Sequence, residues 1–298
     1  MKTEFKNFKS AEKQQWKTMQ LINIVLLHNQ TPESYVNLFK QMVYLDPVIT
    51  LRGDNYIELV RFEKLSNFNM YEGTIVTYVG IRPDAWFNKK SKEIESRDSG
   101  ENKYANTKKA TFYFIPENHK LCLLSGSVIT IQNIKKYIDG ACTKILGTDQ
   151  VHSNFVTSKD EINDAVKELN INRVRLIINY SNKDCINGFG GTFDDLAKED
   201  NISLINMDIL SAEDEDLKLK KGGMVDSLLN LVTTMGNGSA DILGYELVQG
   251  KGKMKKLKKK NRRIRTANYI EKIKVEFNSK ASYYADIYNK VLSRRNDN

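Results

Sequence analysis

No Cys-x-x-Cys pair occurs in this chain. Its three cysteines, Cys122, Cys142 and Cys185, stand far apart, which excludes zinc ribbons and thioredoxin-type dithiol chemistry. Histidine is equally scarce: His28, His119 and His152 pair with no cysteine or carboxylate at a metal-ligand spacing. No Gly-x-Ser-x-Gly elbow is present. The Gly188-Phe189-Gly190-Gly191 run lacks the Lys-Ser/Thr of a phosphate loop and reads as a turn. No apolar run approaches the roughly 20 residues a membrane span needs, so no membrane insertion is expected. The first residues, MKTEFKNFKSAEKQQWK, have no apolar core and do not resemble a secretory leader. An odd cysteine count without such a leader fits a reducing cytoplasm. These absences leave no catalytic residue, no metal ligand set and no cofactor to nominate, and they favour a binding protein over an enzyme.

A further absence is local. Between Lys251 and Arg265, KGKMKKLKKKNRRIR, there is no acidic residue, and ten of the fifteen positions are Lys or Arg. The 298-residue chain carries a net charge of +9. Residues 251–298 contribute 16 basic and 4 acidic side chains, so the other 250 residues, with 30 basic and 33 acidic, are slightly acidic. Cations gathered in one segment of an otherwise acidic chain point to a polyanionic partner.

Read in order, the chain alternates strand-like and helix-like runs. Met19–Leu27 is nearly all apolar and suits a strand buried on both faces. Thr31 offers an N-cap ahead of Pro32 and Glu33, opening a helix that Pro47 ends. Two strands follow, over Tyr56–Phe62 and Gly73–Ile81. Asn88–Lys109 is rich in charge and reads as a long exposed loop or lid. Ala110–Ile115 and Lys120–Leu124 form a hairpin pattern. Thr130 and Ser158 open two more helices, the second through a Ser-x-x-Glu capping box, and Val174–Tyr180 reads as a buried strand. Lys183–Gly191 is a turn-rich link. A short helix over Phe193–Lys198, a strand over Ser203–Leu210, and a helix over Met224–Met235 bring the chain to Ala240–Gln249, a further strand-like run. The simplest pairing joins Ala240–Gln249 to Thr266–Phe277 in a long hairpin whose tip is the basic run. A tyrosine-rich helix over Ala281–Leu292 closes the sequence.

The expected fold is therefore α+β: a mixed or largely antiparallel sheet with helices packed on one face, a C-terminal β-hairpin with a basic tip, and a final helix. The expected divisions are a polar arm over 1–18, an α+β core over 19–182, and a second α/β segment over 183–298 that carries the hairpin at 251–265.

The run His28-Asn-Gln-Thr-Pro-Glu-Ser-Tyr-Val-Asn-Leu-Phe39 and the run Leu51-Arg-Gly-Asp-Asn-Tyr56 resemble a bacterial family of unknown function found in prophages and defence islands. Asp84 with Trp86 and Phe87, Phe112–Pro116, His119–Leu121 and Asn237–Ala240 are similar to further motifs of that family. The order of elements also resembles, in layout, the phage exclusion protein RexA and the recombination-associated protein RdgC. That likeness implies non-sequence-specific duplex DNA binding by a dimer, and it implies no catalytic residue.

Duplex DNA carries about one negative charge per 1.7 Å of axis, so a cationic projection gains affinity by releasing counterions. The residues expected to meet phosphate are Lys251, Lys253, Lys255, Lys256, Lys258, Lys259, Lys260, Arg262, Arg263 and Arg265, with Lys272 and Lys274 beyond them. Arginines can fork onto phosphate oxygens, whereas lysines act as mobile point charges. Asn261 is the one polar side chain in the run suited to reading a base. No aromatic interrupts the run, which disfavours single-strand stacking. Six phosphate contacts would give a log-log salt slope of about −5. Duplex DNA is thus preferred over RNA, bound by a homodimer or by a subunit of a defence complex. Two alternatives stay open: a metal-dependent nuclease effector, and a structural subunit whose basic arm docks on an acidic protein.

Overall fold

The computed structural model describes residues 15–80, 86–95, 104–148, 150–179, 189–200, 202–213, 215–249 and 257–293. The fold is α+β, and all of its strand pairs are antiparallel.

Strand β1 (Trp16–Leu26) is the axis of the first sheet. Its apolar side chains serve both faces. Ile22, Ile24 and Leu26 enter one core, and Met19 and Leu21 enter the other. Helix α1 (Pro32–Leu45) opens as the sequence indicates: the Thr31 side chain accepts from the Ser34 amide, and Pro32 takes the first helical position. It closes on Asp46 in the left-handed region. Strands β2 (Ile49–Arg52), β3 (Asn55–Lys64) and β4 (Tyr71–Val79) follow. A two-residue pair, β5 (Trp86–Phe87) and β6 (Ile94–Glu95), precedes β7 (Ala105–Ile115) and β8 (Lys120–Leu124). The expected loop over Asn88–Lys109 is thus corrected inside the span, where β6 lies, and at its C-terminal end. Ala105–Lys109 is already strand, paired to β4 through Val76↔Lys109 and Thr77↔Lys108. Its polar side chains lie at an exposed end of the ladder, where backbone pairing needs no apolar alternation.

Helix α2 (Ile131–Leu146), capped by Thr130, packs with α1 on one face of this sheet. Strand β9 (Val151–Phe155) pairs with the second half of β1. Helix α6 (Lys280–Ser293) covers the other face, burying Tyr283, Tyr284, Ile287 and Val291 against Met19, Leu21 and Tyr113. The helices are therefore divided between the two faces of the large sheet. Gly73 lies opposite Phe112 in the ladder, and a methyl group there would fall 2.1 Å from the Phe112 ring. Glycine is what lets that ring lie across β4 into the core.

The second sheet begins after helix α3 (Lys159–Val166). Strand β10 (Asn170–Asn179) runs between β11 (Leu204–Leu210) and β12 (Gly238–Gln249), and β13 (Leu257–Arg265) lies outside β12. Helix α4 (Phe189–Glu199) starts within the run read as a turn, so Phe189-Gly190-Gly191 is helical. Helix α5 (Met224–Thr233), together with α3 and Phe193 of α4, covers one face of this sheet over Val174, Leu176, Ile178 and Ile242. Fully burying each such aliphatic side chain contributes roughly 1.5–3 kcal/mol.

The hairpin differs from the expected pairing. The partner of β12 is the basic run itself, with Gln249↔Leu257 at one end and Asp241↔Arg265 at the other. Thr266–Phe277 does not return along β12. A short 3-10 turn at Thr266–Asn268 carries the chain out of the second sheet, and β14 (Lys272–Glu276) pairs with the first half of β1. The Thr266 hydroxyl fixes this exit by accepting from the Ala240 amide at 2.9 Å. Ile273 and Val275 are then buried under α6, which outweighs anything a longer hairpin in water would bury.

Candidate nucleic-acid interface

Among the described side chains of β13 only Ile264 is buried, and it reaches the core beside Ile242. Every other described side chain from Lys258 to Arg265 is exposed. β13 is an edge strand, and such a density of like charge on an edge blocks pairing with another chain.

Two parts of the hairpin have different surroundings. β10 pairs with β12 only as far as Asn170↔Tyr245. Beyond that point Glu246–Gln249 and Leu257–Lys260 pair, among the described strands, only with each other, as a two-stranded ribbon. Strand alternation sends Lys258 and Lys260 to one side and Lys259 to the other. Lys259 Nζ lies 4.4 Å from the centre of the Tyr245 ring, a cation–π contact that steadies it at the root of the ribbon. Gly244 sits where β10 begins, and a methyl group there would meet the Asn170 carbonyl at 2.3 Å.

Below the ribbon, Asn261, Arg263 and Arg265 continue along the sheet face opposite the helices. The ladders place Arg173 and Arg175 of β10 on that same face, since Arg173 aligns with Leu243 and Arg263, and Arg175 with Asp241 and Arg265. Two Arg-x-Arg pairs result, one around Val174 and one around Ile264. Each is held by an aspartate on a neighbouring strand. Asp208 of β11 takes a forked contact from Arg173 and lies 3.7 Å from Arg175 Nε. Asp241 of β12 is hydrogen-bonded to Arg263 and lies 3.9 Å from Arg265 Nε. The Arg173 guanidinium holds the Asp208 carboxyl below the usual carboxylate range, so it stays charged at neutral pH. Arg262, on the other side of β13, reaches Glu246 at 3.5 Å.

The face carries two depressions. One, of about 480 Å³, is lined by Arg175, Ile177, Asp208, Asp241 and Arg265. The other, of about 640 Å³, brings Arg173, Lys259 and Arg262 beside the acidic side chains Glu213, Glu215 and Asp216. Ile177, Leu204 and Leu210 are exposed on the same sheet face.

Of the twelve residues expected to meet phosphate, the structure gathers Lys258, Lys259, Lys260, Arg262, Arg263 and Arg265 on β13. Lys251, Lys253, Lys255 and Lys256 lie outside the described residues. Lys272 and Lys274 stand on β14 of the other sheet, exposed and alternating with the buried Ile273 and Val275. Arg173 and Arg175 were missed. Their signal was the alternation Arg-Val-Arg-Leu, whose polar half is hidden when Val174–Tyr180 is read as a buried strand. Among the described residues no group of three or more His, Cys, Asp or Glu side chains is placed to hold a metal ion, and no helix is long and apolar enough to cross a membrane.

The motifs singled out in the sequence have structural places. The Tyr35 hydroxyl accepts from the Leu26 amide, and its ring lies 4.4 Å from that of His119. Gly53 makes the turn between β2 and β3. Lys120 and Asn237 meet at a buried junction between the two sheets through Asn23. The family described as a domain of unknown function (DUF4747) matches residues 18–293, from β1 to the end of α6. No curated protein matches the chain.

Proposed function

The chain belongs to the DUF4747 family, and we propose that it binds duplex DNA without sequence specificity, through phosphate contacts made by the β12–β13 ribbon. One observation carries the proposal: the ribbon projects beyond its sheet with Lys258, Lys259 and Lys260 exposed on both sides and Glu246 as its only acid among the described residues. A two-stranded ribbon has the width to enter the major groove of B-DNA. Lysines on both of its sides would then face both flanking phosphate strands. Asn261 alone offers an amide for a base edge, so backbone contact dominates. The proposed setting is a bacterial antiphage-defence or prophage system, with the protein acting in the cytoplasm as a homodimer. The resemblance supports the system and the homodimer, and the odd cysteine count supports the cytoplasm.

The test is fluorescence anisotropy with random-sequence duplex, single-stranded DNA and RNA between 50 and 200 mM salt. The duplex is expected to bind most tightly, with affinity falling linearly in log-log form. Changing Lys258, Lys259 and Lys260 to Ala together should lower the slope by about 3 if each meets a phosphate. Unchanged affinity and slope in that variant would overturn the proposal. Duplex cleavage dependent on Mg²⁺ or Mn²⁺ would replace it with a nuclease.

A further inference from the structure

We infer that Arg175 and Arg265 form a second phosphate-binding site on the open face of the four-stranded sheet, which extends the DNA contact from the ribbon across β12 to β10. The inference rests on the DNA-binding reading above and adds to it a site that the basic run does not contain.

The two Arg-x-Arg pairs are not symmetric in how they use their aspartates. Arg173 and Arg263 make the close contacts, one of them forked. Arg175 and Arg265 are left at 3.7 and 3.9 Å from the same carboxylates. A guanidinium has five N–H donors, so these two retain most of theirs. Their side chains are 46% and 58% exposed, the more exposed of each pair. Both line the depression of about 480 Å³. Their strands flank β12, so their Cα positions are about 10 Å apart, two strand spacings. Side chains as long as arginine can converge on one anion across that gap. Asp208 and Asp241 then act as positioning residues: each keeps one arginine of its pair in place, and with it the local shape of the face.

The surroundings set the direction of approach. The other depression is bordered by Glu213, Glu215 and Asp216, which repel phosphate from the Arg173 end. The depression at Arg175 and Arg265 has no acid beyond the two bracing aspartates among its lining residues. Along β13, Arg265, Arg263, Asn261 and Lys259 share this face at about 7 Å intervals, so a backbone seated at Arg265 can follow β13 to the ribbon, where Asn261 and Lys259 border the depression that also holds the three acids.

The test compares Arg175→Ala, Arg175→Lys and the triple Lys258/Lys259/Lys260→Ala variant against wild type, by the same duplex titration over a range of salt. Circular dichroism and thermal melting should leave Arg175→Ala folded, because the side chain points away from the core. Arg175→Ala should weaken duplex binding about tenfold and lower the salt slope by about 1. Arg175→Lys should keep the slope while losing part of the affinity, since the charge remains and the fork does not. Wild-type affinity and slope in Arg175→Ala, alongside clear loss in the lysine variant, would overturn this inference and leave the ribbon reading standing. A wild-type protein that binds no duplex would overturn both.

Discussion

The Lys120 ammonium donates to the Asn23 side-chain oxygen at 2.8 Å inside the protein, with both residues buried. Lys120 also donates to the Met235 carbonyl at 3.2 Å, while the Asn23 amide donates to the Gly236 carbonyl and the Asn237 side chain. Two strands of the large sheet are thereby tied to the turn that leads into β12, and so to the base of the basic hairpin. Breaking a buried charged contact by removing one partner costs more than removing both. Asn23→Leu should therefore cost about 3 kcal/mol, because it takes away an acceptor and leaves the ammonium buried. Lys120→Met should cost less, and the double variant less than the sum of the two. Urea unfolding of the four proteins gives the cycle, and strict additivity would show that the pair is not coupled.

The same turn contains the least replaceable glycine of the second sheet. Gly238 opens β12 at a φ of +154°, and a methyl group on it would lie 1.9 Å from the Ile177 carbonyl oxygen. That oxygen belongs to the β10 backbone, which is fixed on both sides by neighbouring strands. No rotamer change can relieve such a contact. Gly238→Ala should destabilise by more than about 3 kcal/mol or prevent soluble expression. A thermal melt within a few degrees of wild type would mean that β12 can shift away from β10. In that case the ribbon would also be less firmly positioned than the ladder suggests.

Much of the first sheet was readable because its apolar residues follow strand and helix periods that local physics alone enforces. Thr31 with Pro32, Thr130 and Ser158 each cap the helix the sequence assigns to them. What the sequence could not show is which runs share a sheet. β10 and β12 lie on either side of residue 182 in the chain yet pair with each other, and β14 leaves the hairpin to join β1. The choice depends on long-range burial, here of Ile273 and Val275 under α6. The basic run shows the same limit. Its charge was plain, but that Leu257–Arg265 is an edge strand anchored in the core through Ile264 is decided by its ladder with β12. Arg173 and Arg175 joined the candidate site only once their register with Asp241 and Leu243 was known.

A last prediction concerns pH. Glu58 on β3 is partly withdrawn from water, and burial raises its pKa above the ordinary 4.5, assisted by Asp46 and opposed by the hydrogen bond from Tyr78 at 2.9 Å. The folded protein therefore holds this proton at pH values where the unfolded chain has released it. Linkage then requires stability to fall as pH rises through the folded pKa, the contribution being fully present only below about the ordinary value. Asp208 acts in the opposite sense: its lowered pKa gives stability that is present at neutral pH and lost as the solution becomes acidic. Glu58→Gln keeps an acceptor for Tyr78 and removes the charge. Its urea midpoint should match wild type near pH 4 and exceed it at pH 7, where the buried charge is fully developed. A midpoint lower than wild type at pH 7 would mean that the Tyr78 hydrogen bond to the charged carboxylate outweighs its desolvation, reversing the sign of the Glu58 contribution.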